Sequence, residues 1–216
     1  MIKACIFDLD GVIVDTAHYH FLAWKRLADE LGIAFTPEDN ERLKGVSRMH
    51  SMDILLEIGG KQMNHDEKEK FANKKNTWFV EHVERMLPEE IFSGVKILVQ
   101  ELHANRVKVG LASSSKNAQR VLELLQIKDQ FDTIVDGTMI THSKPDPEIF
   151  LLAASRLQVD PKDCLVFEDA EAGVEAALAA GMKCIGVGSA DQLFKADKII
   201  KATGDFKFNE LEQFNK

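Results

Sequence analysis

Cysteine is scarce in this chain: Cys5, Cys164 and Cys184 are the whole supply. The count is odd, no two stand in a CxxC pair, and each lies in or beside an apolar run (CIF, CLVF, CIGV). That pattern argues against a disulfide framework and predicts buried free thiols in a reducing compartment. Excess positive charge is missing too. Lysine and arginine number 27 against 35 aspartates and glutamates, a formal net charge of -8. This excludes a general nucleic-acid binder but not a small anionic substrate held in a local cationic pocket. No apolar run is long enough to span a bilayer, so no membrane partner is expected. The first strand-like run meets Asp8 too early for a signal peptide, and the expected location is the cytoplasm. Internal repeats and low-complexity tracts are absent. What remains, 45% hydrophobic and 29% charged residues among 216, is an ordinary globular composition. It is large enough for one domain, or for one domain with an insertion.

Five short apolar runs read as buried strands: Ala4–Leu9, Val107–Ser113, Thr133–Val135, Cys164–Phe167 and Lys183–Gly188. Helical patterns over Ala118–Leu125, Pro147–Leu157 and Ala172–Ala180 separate the last four, and Gly181 marks a helix stop. Such alternation predicts an α/β fold, a Rossmann-like parallel sheet with helices on both faces. One section breaks it. Between Thr16 and Leu87 the patterns are helical, over Asp15–Leu31, Ser47–Ile58 and His65–Met86, with no convincing strand. The economical reading is a helical cap, residues 16–87, inserted after the first strand of a core made by residues 1–15 and 88–216. Its linkers would fall near Asp15–Ala17 and Met86–Ser93.

The stretch FDLDGVIVDT, Phe7 to Thr16, puts Asp8 and Asp10 at the end of an apolar run, where ionised carboxylates are costly unless compensated. Two positions apart on an extended strand, they would face one site at the sheet's carboxyl end, where open α/β sheets bind ligands. Glu168 and Asp169 follow the strand CLVF in the same way. Four carboxylates gathered there repel one another unless they share a cation, and oxygen-only ligation suits Mg²⁺. Two other strand ends supply phosphate-binding groups. Ser113, Ser114, Ser115, Lys116 and Asn117 open a helix with hydroxyls and free N–H groups. Lys144 sits in the turn SKPDPEIF as a point charge. A carboxylate nucleophile, a divalent cation, a hydroxyl and a lysine are the parts of phosphoryl transfer through an aspartyl-phosphate.

DxDGVxxDT, a serine after the second core strand, KPxPxxF and a downstream ED, in that order over nearly the whole chain, resemble the haloacid dehalogenase superfamily of phosphotransferases. The resemblance implies that Asp8 is the nucleophile and Asp10 the general acid/base, its backbone carbonyl also a metal ligand. It further implies that Ser113 and Lys144 hold the phosphoryl group while Glu168 and Asp169 complete the metal site. Within the 16–87 segment, LKGVSRMHS (Leu43–Ser51), ANKKN (Ala72–Asn76) and DTAHYHFLAWKRLA (Asp15–Ala28) are similar to the β-phosphoglucomutase family of that superfamily. So is ASSSKN in the core, although Ser114 stands where alanine is common in the family.

This second resemblance implies interconversion of β-D-glucose 1-phosphate and 6-phosphate through β-glucose 1,6-bisphosphate, with Mg²⁺ as cofactor. A sugar-phosphate phosphatase with the same core is the alternative, because the core motifs do not choose the phosphate's acceptor. A non-catalytic phosphosugar-binding regulator is disfavoured by the complete set of reactive groups. A bisphosphate needs a second anion site. Arg48 offers a bidentate fork for it, and the resemblance adds Lys44, Gly45, Val46, Ser115, Lys116 and Asn117 as substrate contacts. Lys75, on the face that carries Phe71 and Phe79, either reaches the cleft or covers apolar surface. His20, on the Trp24–Leu27 face, reads as a packed core histidine or, by resemblance, as a hinge residue. Thr16 either bonds Asp10 or caps a helix. His142, with nothing in sequence to pair with it, reads as a loop residue. Nothing in the cap requires a partner chain, and a monomer is expected.

Overall fold

The computed structural model describes residues 1–215. Six runs, β1 (Ala4–Phe7), β2 (Lys108–Ala112), β3 (Thr133–Val135), β4 (Cys164–Glu168), β5 (Lys183–Val187) and β6 (Lys198–Ile200), pair in parallel in the order β3-β2-β1-β4-β5-β6. Both faces are covered, so the central strands are continuously apolar and every residue of β1 is buried. The pleat still sorts them: Cys5 and Phe7 join one core cluster, Ala4 and Ile6 the other. The three cysteines are free and buried, as expected.

Before β2 the chain makes α1 (Ala17–Leu31), α2 (Pro37–Glu41), α3 (Arg48–Ile58), α4 (His65–Val83) and α5 (Val95–Ala104). After it come α6 (Ala118–Leu124), α7 (Glu148–Leu157) and α8 (Glu171–Ala179). Asp15 accepts from the His18 N–H at 3.2 Å near the start of α1, and Gly32 ends that helix in the left-handed region at φ 64°. The packed faces of α1, α3 and α4 bring Trp24, Leu27, Met52, Leu55, Phe79 and Val83 into the first core cluster. Three elements lie outside the sequence expectations. The polar α2 forms behind a Thr36–Asp39 capping box, α5 packs Val95, Leu98, Val99 and Leu102, and β6 is a three-residue edge strand. The helix expected to reach Met86 ends at Val83. No helix among the described residues is long and apolar enough to cross a membrane.

Strand order positions the site. Successive strands step one way from β1 to β3 and the other way from β4 to β6, so the crevice opens at the carboxyl ends of β1 and β4. Phe7 lies opposite Phe167 in the β1–β4 register, which brings the next residues, Asp8 and Glu168, side by side.

Candidate active site

β1 ends at Phe7, so the pleat does not carry both aspartates as the strand reading expected. Asp8 continues the ladder through its N–H to the Phe167 carbonyl at 2.9 Å. Asp10 lies in the following turn, where its N–H donates to Asp8 Oδ2 at 3.0 Å. The turn needs Gly11: φ is +75°, and a Cβ would fall 2.2 Å from Asp169 Oδ2. Tight approach of the two loops thus delivers Asp169 to the pair.

Lys144 is wholly buried. Its Nζ lies 2.6 Å from Asp8 Oδ1 and 3.3 Å from the Ala112 carbonyl, and it also pairs with Glu168 Oε1. Burial opposes the charged ammonium, but Asp8 and Glu168 outweigh it and hold the lysine above its ordinary value. Glu168 Oε2 accepts from the Ala170 N–H at 3.1 Å. One lysine does not neutralise the group. Burial first, then the neighbouring carboxylates, raises Asp10 to about 8 and Asp169 well above the carboxylate range. Glu168 rises to about 7 through burial, with Asp8 adding to it against the pull of Lys144.

Asp8, Glu168 and Asp169 each present an oxygen, all within 4.8 Å of one another, and Asp10 Oδ1 is buried with no hydrogen-bond partner. This set fits a hard divalent cation. A second group, His142, Asp146 and Glu148, is largely exposed. His142 is the expected loop residue, but it does have a partner: Nδ1 lies 3.1 Å from Glu148 Oε2.

The loop after β2 is held by its own hydroxyls. Ser113 Oγ accepts from the Ser115 N–H, and Ser115 Oγ from the Asn117 N–H, each at 3.2 Å. Across the crevice, His20 stacks on Phe79 with ring centres 3.9 Å apart, and its Nδ1 meets Lys75 Nζ at 2.6 Å. Lys75 is buried and lies over the Trp24 ring at 4.7 Å. Burial, then the nearby cations, pushes both His20 and Lys75 well below their ordinary values. Arg48 donates to Asn73 Oδ1 at 3.1 Å, and Lys44 pairs with Glu41 at 2.9 Å.

A cavity of about 350 Å³ joins the two sides. Asp8, Asp10, Ser115, Lys116, Asn117 and Asp169 line it from the sheet side. His20, Lys44, Gly45, Val46, Arg48 and Lys75 line it from the helical segment. Lys144, Glu168 and Ser113 are fully buried and are not among its lining residues. Thr16 is buried with an unpartnered Oγ1, so it neither caps α1 nor bonds Asp10. Asp169 does not cap α8, whose N-cap is Ala170. Sequence reasoning missed Glu69, Asn73 and Asn76, which line the cavity from α4. Their spacing of four and three residues, one helical face, was the available signal.

The haloacid dehalogenase-like hydrolase family matches residues 2–181. β-Phosphoglucomutase of Bacillus subtilis is 44% identical over 213 residues, covering 98% of this chain and 94% of the relative. A crystal structure of β-phosphoglucomutase from Clostridium difficile superposes with a TM-score of 0.95 at 43% identity, covering 100% and 98% of the two chains. A phosphorylated carbohydrates phosphatase of Thermotoga maritima is 36% identical over 186 residues, 85% of this chain and 83% of that protein. With the acidic crevice at β1 and β4, these similarities establish that the chain belongs to the haloacid dehalogenase-like hydrolase family.

Proposed function

We propose that this chain is a phosphomutase that interconverts β-D-glucose 1-phosphate and β-D-glucose 6-phosphate through phosphorylated Asp8 and β-glucose 1,6-bisphosphate. One observation carries the reading. A single cavity, of a size suited to a sugar phosphate, is walled by the Asp8–Asp10 pair and by Arg48, Lys116 and Asn117. A bisphosphate that turns end for end needs an anion site besides the one at the nucleophile. The similarity to β-phosphoglucomutase, which extends through the helical segment as well as the sheet, supports the same assignment. We read residues 16–87 as a cap over a core of residues 1–15 and 88–216.

Phosphorylated Asp8 passes its phosphoryl group to the free hydroxyl of a bound glucose monophosphate, with Asp10 as base, and the bisphosphate forms. In the second half-reaction Asp8 attacks phosphorus at the bisphosphate's other end, the bond from phosphorus to the sugar oxygen breaks, and Asp10 gives that oxygen its proton. Burial raises Asp10 to about 8, so it keeps a proton to donate near neutrality. Lys144, bonded to Asp8, and Ser113 steady the phosphoryl group. His20, the hinge residue of this reading, is half-buried beside the sugar and bonded to buried Lys75, and Lys44, Gly45 and Val46 edge the sugar pocket with Ser115. Mg²⁺, held by oxygens of Asp8, Glu168, Asp169 and the Asp10 backbone, supplies positive charge against the phosphoryl oxygens when bound. The same reading takes the chain as a monomer, and the acidic, thiol-bearing composition suits the cytoplasm.

The test supplies each anomer of glucose 1-phosphate with Mg²⁺ and a trace of bisphosphate, measuring glucose 6-phosphate and free phosphate together. Faster glucose 6-phosphate formation from the β anomer is expected, and it is abolished by Asp8→Asn. Faster release of free phosphate would instead make the chain a sugar-phosphate phosphatase.

A further inference from the structure

The core segment from Ser114 to Arg120 reaches across to the cap three times. Ser114 Oγ donates to the Gly45 carbonyl at 2.7 Å, and Asn117 Nδ2 donates to Asn76 Oδ1 at 3.0 Å. Arg120 grips Glu84 with both ends of its fork, Nε to Oε1 at 2.8 Å and a terminal nitrogen to Oε2 at 2.6 Å. The acceptors lie in the loop before α3, midway along α4, and just past its end. The donor segment is stiff on its core side. A Cβ on Gly137 would fall 2.2 Å from the Ser114 carbonyl oxygen, and buried Asp136 accepts from Gln119 at 2.7 Å. The acceptor loop is pressed just as closely, since a Cβ on Gly45 would lie 2.9 Å from Ala170 Cβ.

We infer that Ser114 is a positioning residue whose hydroxyl clips the cap's Gly45 carbonyl to the core, with Arg120–Glu84 as a second clip. Together the clips set how the phosphoryl group on Asp8 divides between bound sugar and water. The inference rests on the function proposed above. Gly45 lies between Lys44 and Val46 and three residues before Arg48, so the bond from Ser114, itself at the cavity wall, ties the sugar loop to the loop after β2. Every opening of the cap while Asp8 carries phosphate admits water. Deleting one neutral hydrogen bond changes such an equilibrium by roughly 2- to 10-fold. The exposed ion pair contributes less, and its effect fades with salt.

The readout is the ratio of free phosphate released to glucose 6-phosphate formed in one reaction. Ser114→Ala should raise it roughly 2- to 10-fold, and Ser114→Thr, which keeps the hydroxyl, should leave it near the parent value. Arg120→Ala should raise it less and only at low salt, with the Arg120→Glu/Glu84→Arg exchange restoring it. A residue that merely supports the fold would lower both products together and leave the ratio alone. An unchanged ratio in Ser114→Ala, or a change in KM alone, overturns the inference. If Ser114→Ala folds poorly, the Arg120 and Glu84 variants, being on the surface, decide the question. Should the parent make no glucose 6-phosphate, the mutase reading fails. The clip is then judged by amide hydrogen exchange at residues 44–48, which Ser114→Ala should accelerate by the same factor and Ser114→Thr should not. Equal exchange in parent and Ser114→Ala refutes the clip under either activity.

Discussion

Replacing Lys144 by methionine gives the sharpest test of how the site is built. The ammonium is fully buried and lies within bonding distance of Asp8 and Glu168. Methionine keeps most of the side chain's length while removing the charge. Two buried carboxylates are then left without their cation, and breaking a buried ion pair from one side costs about 3–5 kcal/mol. For a chain of this size each kcal/mol moves the melting midpoint by about 2–4 °C, so a fall of roughly 6–20 °C is expected by calorimetry in metal-free buffer.

The pH dependence has a definite sign. Burial raises Glu168 to about 7, and Lys144 is the main influence that lowers it; without the lysine it rises further. A carboxyl whose folded value lies above its unfolded one binds more protons in the native state. Stability is therefore lost as pH rises from the ordinary carboxylate range through the folded value. The deficit of Lys144→Met should accordingly be larger at pH 8 than at pH 5.5. Removing the stranded charges as well, in Lys144→Met/Glu168→Gln, should recover part of the loss. A fall of less than about 1 kcal/mol, or a deficit that widens on acidification, would refute the reasoning.

Other outcomes follow from the same geometry. Gly173→Ala would place a Cβ 1.9 Å from Glu168 Oε1. Glu168 is held by Lys144 and the Ala170 N–H and cannot swing aside, so a loss of about 1–3 kcal/mol is expected in denaturant titration; a neutral result would mean that Glu168 is mobile. Mg²⁺ at a hundred times its Kd should stabilise the chain by about 2.7 kcal/mol, and Asp169→Asn should shrink that shift in a thermal melt. An undiminished shift would place the ion elsewhere. Arg48→Ala should slow glucose 6-phosphate formation by roughly 10- to 100-fold, the value of hydrogen bonds to a charged group. Hydrolysis of a small phosphoryl donor with no distal phosphate should suffer far less, and equal losses would remove Arg48 from the distal site.

The composition and short patterns carried much of this. β1, β2, β3, β4 and β5 lie where continuous apolar runs announced them, because a strand buried on both faces has no polar positions to blur the signal. β6 was illegible: Lys-Ile-Ile is half-buried at the sheet edge, too short and too mixed to separate from a loop. α2 was hidden by its polarity, since PEDNE buries little beyond Asn40 and depends on its cap. At the site, the motif residues were legible because each is a reactive type at a strand end or, for Lys144, in the proline-marked loop between β3 and α7. Asn73, Asn76 and Glu69 were not, being polar residues on a helix whose exposed faces are polar everywhere.

Chemistry-bearing residues, strand ends and the helical insertion were therefore written into the linear order, since carboxylates closing apolar runs need a compensating partner wherever the chain goes. Their mutual arrangement was not. Asp8 and Asp10 meet through a turn that only Gly11 permits beside Asp169, not through the pleat. Lys144 reaches its carboxylates across a separation of 136 residues in one case and 24 in the other. The bond from Ser114 to Gly45 joins loops 69 residues apart. Contacts of that kind arise when parallel strands align their ends and the helices between β1 and β2 pack beside them, and no local pattern encodes the distance between two segments that meet only in the folded chain.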